Sequence, residues 1–245
     1  MIGALSPAAL FPHHSAMTDT APPPYRPIPW PGPPDRLPGE MIARSRAFYD
    51  AVRTRRTCRF FSDAPVPSEV IENAILAAGT APSGANHQPW HFAVISSAAH
   101  KRRLRQAAEA EERAFYAGKA GGEWLEALAP LGTDENKPYL EVAPWHIIVF
   151  GQRRGGIAPG DMKRNYYVTE SVGIACGILL LALHDSGLAT LTHTPNPMGF
   201  LNRLCGRPPT EKPLMVIVAG KPAADATIPE HALLKKPLDR ISTWL

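Results

Sequence analysis

Arg53, Arg55, Arg56 and Arg59 put four guanidinium groups within seven residues, and Thr57, Phe60 and Phe61 close the run. Forked N–H donors match phosphate oxygens and tolerate partial burial better than an ammonium does, so phosphate is the natural ligand; standing alone, such a cluster is more often a solvated basic face. Glu112 and Tyr116 stand four apart on a strongly helical stretch and share a face. A carboxylate beside a phenol is usually surface decoration, and it can also be half of a receptor. Lys137, just before Tyr139 and Leu140, could bring an ammonium back over the same site. A third group is made of backbone. Pro82, Ser83, Gly84 and Ala85 supply fixed φ, a hydroxyl and exposed N–H groups, which suit close approach to a planar polar ligand; for a Ser-Gly loop by itself the plain reading is a helix-to-strand connection.

Apolar spacing predicts the elements that carry these groups. Val70, Ile71, Ala74, Ile75, Ala77 and Ala78 have helical period, with Ser68 as N-cap and Gly79 ending the helix in the left-handed conformation. The apolar run 91–96 follows as a strand. Further helices are expected over 43–52, 100–120, 166–186 and 200–205, and further strands over 145–151, 188–195 and 214–219. Gly118, Gly121, Gly122, Pro130, Gly132 and Pro138 break up residues 118–138, which predicts a mobile loop of the length that lids have. Gly173, Ala175, Cys176, Gly177 and Ala182 leave a small-residue face on the 166–186 helix, fit for close packing inside the chain or between subunits.

Residues 1–40 contain Pro22, Pro23, Pro24, Pro29, Pro31, Pro33, Pro34 and Pro38 and read as an extended arm, with Tyr25 and Trp30 suited to wrapping a partner subunit. Met17 is an alternative start. Residues 41–245 then form one domain, with a lid over about 109–138. A chain of 245 residues, 44% hydrophobic, buries one sizeable core. Lys and Arg (26) against Asp and Glu (22) are spread without a long basic run, which argues against a nucleic-acid partner. Cys58, Cys176 and Cys205 are odd in number and lack a Cys-x-x-Cys spacing, so neither zinc nor a disulfide framework is indicated, and a reducing cytoplasm fits. His13-His14 is too little for a metal site, and none is expected. No apolar stretch is expected to reach the roughly 18 residues of a membrane helix. Residues 1–14 lack the pattern of a secretory signal, so neither membrane nor export is indicated.

Taken together, the motifs resemble the nitroreductase superfamily of FMN flavoproteins and, within it, the iodotyrosine deiodinases. The resemblance covers about 45–245 and rests on Arg55-Arg56-Thr57-Cys58-Arg59-Phe60, residues 78–85 with Pro89-Trp90, residues 171–177, Thr192-His193-Thr194-Pro195, Gly206-Arg207-Pro208 and Lys236-Pro237-Leu238-Asp239. It implies an α+β fold, a central mixed β-sheet flanked by helices, in an intertwined homodimer with two FMN sites at the subunit interface. By position, Arg55, Arg56, Thr57 and Arg59 would meet the FMN phosphate and ring, Pro82, Ser83 and Gly84 would line the flavin, and Thr192, His193 and Thr194 would lie beside it. Thr194 would bond flavin N5 as the catalytic hydroxyl. Lys235 falls where the deiodinases usually carry an arginine to the phosphate, which implies weaker FMN retention. Glu112, Tyr116 and Lys137 match the residues that grip the amino-acid end of the substrate, and the Ala85 N–H would hold its phenolate.

The resemblance therefore implies FMN-dependent reductive dehalogenation of a halogenated tyrosine, with reducing equivalents from NAD(P)H directly or through a flavin reductase. A zwitterion needs a carboxylate for its ammonium, and a cation with a hydroxyl donor for its carboxylate; Glu112, Lys137 and Tyr116 are that set. One departure points elsewhere. Asn86-His87-Gln88-Pro89-Trp90 looks like the Asn-x-Gln-Pro-Trp of ordinary nitroreductases, which keeps an NAD(P)H-dependent nitroreductase or quinone reductase of broad acceptor range as the alternative. A non-catalytic flavin- or amino-acid-binding protein is the third reading.

Overall fold

The computed structural model describes residues 25–245, so His13-His14, Met17 and Pro22 to Pro24 lie outside the described residues. The chain divides into two units, 1–45 and 46–245, and the division falls inside α1 (Pro38–Val52). This helix starts five residues before the expected 43, because a proline is well suited to the first helical position: its fixed φ is helical and its missing N–H would have had no partner there.

The second unit is built on four strands, β1 (Trp90–Ile95), β2 (Trp145–Gln152), β3 (Ala189–His193) and β4 (Glu211–Gly220), in the order β1-β2-β4-β3. Every neighbouring pair is antiparallel. The central sheet is therefore antiparallel rather than the mixed sheet expected, and the parallel pairing among the described residues is an isolated bridge from Thr57 to Thr190 of β3. β4 begins three residues before the expected 214 and takes in Pro213. Proline cannot donate to a ladder, and it is accommodated because the β2–β4 register shifts between Val149 and Phe150 beside it.

Each face of the sheet has its own core. α2 (Ser68–Gly79) and α6 (Val168–Asp185) cover one, where Ile71, Ala78, Val172, Leu179 and Leu183 meet Ile147, Val149 and Ile217. α3 (Ala98–Ala114), α5 (Tyr139–Val142) and α7 (Phe200–Leu204) cover the other, where Leu104, Ala108, Leu140 and Leu201 meet Ile148, Phe150, Val216 and Val218. β2 is buried on both sides, so it is a continuous apolar run rather than an alternation.

Several local expectations change. α2 starts at Ser68 itself, with Pro67 as the capping residue and no side-chain cap bond. Gly79 is the last helical residue and not a left-handed stop; Thr80 ends the helix with its N–H on Ala77 O and Ala78 O. α3 starts at Ala98 behind the Ser97 cap and stops at Ala114, and a π-helical turn, Phe115–Lys119, then carries the chain away with Gly118 at φ 135°. Residues 118–138 are not an open loop: α4 (Gly122–Leu128) and a 3₁₀ turn, Ala129–Leu131, occupy the middle, each short enough to fit between the glycines. α6, at 18 residues, is long and apolar enough by length and composition to cross a membrane, contrary to the sequence expectation, and one face of it packs on α2 and the sheet.

Candidate functional site

A cleft of about 480 Å³ opens at the end of β3 and gathers residues from four separate stretches of sequence. β3 alternates there: Leu191 and His193 are buried, Thr192 faces out, and Thr194 follows it exposed as the strand ends. Beside β3, Cys58 N donates to Thr190 O at 3.0 Å and Phe61 bridges to Pro222. These two ties fix the short span between them, and Arg59 lies along the cleft next to the two threonines.

The opposite wall comes from the end of α3 and the segment after it. The π-helical turn puts Tyr116 in the cleft, where its hydroxyl donates to Thr133 O at 3.1 Å. Glu112 Oε2 stands 3.2 Å from Lys137 Nζ, and the lysine is only 3% exposed. Its ammonium also donates to Thr133 Oγ1 at 3.3 Å and to Asp134 O, and lies 5.7 Å from the centre of the Tyr116 ring. All three N–H groups of Lys137 thus have acceptors within the chain. Trp124 and Leu128, one helical turn apart on α4, add an apolar side with Phe115 and Met198.

Burial governs the titratable groups here. It raises the Tyr116 phenol, partly offset by the bond to Thr133, and it raises Tyr139 further with help from the Glu112 charge, so both remain protonated at neutral pH. Burial pulls His193 down to about 3, with the charges of Lys137 and Arg59 acting in the same direction. His193 is therefore neutral. Its ring meets Tyr139 edge-on with centroids 6.1 Å apart, and its Nε2 has no partner among the described residues.

The other sequence candidates lie elsewhere. Arg55 and Arg56 precede the Thr57 bridge, and Arg56 Nη1 donates to Arg53 O at 2.6 Å and Arg55 O at 2.7 Å. Arg56 Nε is buried and has no acceptor among the described residues, which suits an anionic ligand. Lys235 donates to Ala232 O at 3.0 Å and Leu234 O at 3.2 Å within its own exposed turn.

Pro82, Ser83, Gly84 and Ala85 sit at the other edge of the sheet, before β1. Ser83 Oγ accepts from Gln88 N at 2.9 Å, and the backbone is left-handed at Ala85, Asn86 and Gln88. A Cβ on Gly84 would come within 2.9 Å of Tyr166 O, so glycine is required for this close approach. Three strand spacings, about 14 Å, separate β1 from β3, and a single chain does not bring this loop to the cleft.

The sequence reading did not single out Trp124, Leu128, Phe115, Tyr139, Thr133 or Met198 as site residues. The i,i+4 pair Trp124–Leu128 was the available signal, hidden in a stretch read as loop.

Residues 52–221 match the sequence profile of the nitroreductase family. The chain belongs to the nitroreductase family. Among nitroreductase-family relatives, the iodotyrosine deiodinase of Haliscomenobacter hydrossis is 49% identical over 193 residues, 79% of this chain and 87% of that protein. Iodotyrosine deiodinase 1 of Homo sapiens is 46% identical over 203 residues, 82% of this chain and 70% of that protein. A crystal structure of oxidized iodotyrosine deiodinase bound to FMN and 3-iodo-L-tyrosine superposes with a TM-score of 0.63 at 30% identity, over 72% of this chain and 90% of that one. A BluB-like flavoprotein from Clostridium difficile 630, at 21% identity and a TM-score of 0.60, shares the fold.

Proposed function

We propose that this chain is an FMN-dependent oxidoreductase that removes halide reductively from a halogenated tyrosine, working as a homodimer. The observation that carries this reading is the Glu112–Tyr116–Lys137 cluster facing Thr192, Thr194 and Arg59 across one cleft. The residues present fit the cofactor: Arg56 Nε is a buried donor in want of an acceptor, and Thr192 and Thr194 are exposed hydroxyl residues. FMN, when bound, supplies the two reducing equivalents that replace the carbon–halogen bond by carbon–hydrogen and release halide, and NAD(P)H restores them directly or through a flavin reductase.

The chain's own residues bind and orient. Arg55, Arg56, Thr57, Arg59 and Lys235 hold the phosphate and ring edge, and Thr194 donates its hydroxyl toward the flavin. Glu112 takes the ammonium of the amino acid, while Lys137 and Tyr116 take its carboxylate. A zwitterion can satisfy the two ends of the Glu112–Lys137 pair without leaving either charge buried alone. α4 then covers the aromatic ring and excludes water. The Ala85 N–H holds the phenolate, which an ortho halogen favours by lowering the phenol pKa.

The reading takes Ala85 and its loop from a second copy, and their place at the far edge of the sheet from the cleft supports it. The outer face of α6 suits that contact: Ile174 is 47% exposed, and no neighbour lies within 4 Å of a Cβ built on Gly173 or Gly177. Three free cysteines accord with the cytoplasm as the site of the reaction.

Flavin fluorescence of the FMN-loaded protein, titrated with 3-iodotyrosine, tyrosine and 4-nitrophenol, tests the proposal. Quenching by iodotyrosine at micromolar levels, with tyrosine much weaker, supports it. Absence of quenching by any amino acid, together with rapid flavin reoxidation by nitroaromatics, overturns it in favour of a nitroreductase of broad acceptor range.

A further inference from the structure

Two carboxylates one turn apart on α3 hold a single lysine by both ends. Glu112 Oε2 meets the ammonium of Lys137, and Glu109 Oε1 accepts the backbone N–H of the same residue at 2.8 Å. Glu109 and Glu112 are spaced i,i+3 and therefore share a helix face. The same Oε1 of Glu109 also accepts from Arg105 Nε at 2.7 Å, and Arg105 Nη1 reaches Glu141 at 3.8 Å. Glu141 lies on α5, the helix that begins two residues after Lys137. Glu109 thus sits in a bracket that ties α3 to the point where the lid segment rejoins the body.

The bracketed N–H has no ready alternative. Lys137 precedes the first turn of α5, where backbone donors lack intrahelical acceptors, and it is buried. Burial raises the Glu109 carboxyl, but the bonds from Arg105 and from Lys137 N outweigh it, and the net shift is downward: Glu109 is an anion at neutral pH. It does not line the cleft, so it is not itself a ligand.

We propose that Glu109 is a positioning residue for substrate recognition: by holding the Lys137 backbone against α3 it sets the spacing of the Lys137 ammonium to Glu112 and Tyr116, and hence the fit of an amino-acid zwitterion. This rests on the substrate reading given above. The chemistry selected is the α-amino-acid end of the ligand, whatever its ring carries.

Glu109→Ala removes the acceptor, and Glu109→Gln keeps an amide oxygen in its place. In the FMN-loaded protein, Glu109→Ala is expected to raise the Kd for 3-iodotyrosine about tenfold, as for a buried donor left unpaired. KM should rise with kcat unchanged, and the Kd for FMN and turnover of a nitroaromatic without an amino-acid group should stay at wild-type values. Glu109→Gln should bring the Kd back to within about threefold of wild type. Independently of any ligand, hydrogen exchange at the Lys137 amide should speed up about tenfold in Glu109→Ala and little in Glu109→Gln.

Equal losses for FMN and iodotyrosine, a Glu109→Gln variant as impaired as Glu109→Ala, or unchanged Kd and exchange in Glu109→Ala would each overturn the proposal. If Glu109→Ala does not fold, the Glu109→Gln values decide alone: exchange or Kd at the level expected for a lost acceptor refutes it, and near-wild-type values support it. Failure of the wild-type protein to bind iodotyrosine would instead remove the substrate reading and the positioning role with it, while amide exchange would still report whether Glu109 holds Lys137.

Discussion

His87 Nδ1 stands 2.9 Å from Asn165 Oδ1, and the amide of the same asparagine donates to Gln152 O at 2.8 Å. One side chain therefore braces the 82–88 loop against the end of β2. Three non-glycine residues of that loop, Ala85, Asn86 and Gln88, are held at positive φ, a conformation that needs support from its surroundings. Asn165→Ala should lower stability by about 1–2 kcal/mol and raise the FMN Kd severalfold. Urea unfolding and a flavin-release titration measure the two effects. An unchanged FMN Kd would separate this loop from the flavin.

Glu112→Gln keeps the shape of the cleft and removes the charge opposite Lys137. Binding of 3-iodotyrosine should weaken by about tenfold or more, as for loss of a charge-assisted bond, with FMN affinity changed less than about twofold. Fluorescence titrations with each ligand give the comparison. Equal losses would count against assigning Glu112 to the amino-acid end.

Acid should destabilise the fold through two buried imidazoles. His146 is fully buried, and the backbone of Tyr139 and Ile95 approaches its ring without meeting hydrogen-bond geometry. Burial, with the nearby Lys101 charge, pulls it down to about 3, as burial does for His193. A histidine depressed in the folded state is neutral there and protonated when unfolded. The stability it leaves intact above pH 6.5 is therefore lost as pH falls from 6.5 toward 3. At pH 5 each histidine should withdraw about 2 kcal/mol. Urea midpoints between pH 7.5 and 4.5 should show this slope, and His146→Leu should remove about half of it.

Arg207 and Glu211 form a part-buried ion pair, through Nε to Oε2 at 2.7 Å and Nη2 to Oε1 at 2.6 Å, with Gln152 Nε2 donating to Oε1 at 2.9 Å. Glu211 is 6% exposed at the start of β4. Arg207→Ala leaves this carboxylate without its cation and should cost about 3 kcal/mol; Arg207→Met combined with Glu211→Gln should recover most of that. Thermal unfolding of the two variants beside wild type gives the answer.

Much of this was legible in the chain itself. The period of Val70 to Ala78, the apolar run of β2 and the small residues of α6 announce elements whose local preference and tertiary role agree. Where the two diverge, the reading failed. β4 extends through Pro213 because a register shift removes the need for its missing N–H, and that shift exists only in the paired sheet. α4 lies among glycines and prolines that read as a loop, and its Trp124 and Leu128 gain purpose only from the cleft they face.

By itself, the sequence determined the residue types: an arginine run whose forks match phosphate, a carboxylate, a phenol and an ammonium, and a loop able to present backbone N–H groups. Local spacing suffices for these because side-chain chemistry and helix periodicity are properties of neighbours in the chain. Only the tertiary structure decided which of them meet. It joined Glu112, Tyr116 and Lys137 to Thr192 and Thr194, gave Glu109 the Lys137 backbone, and left Ala85 across the sheet, because strand order sets distances that sequence separation does not encode.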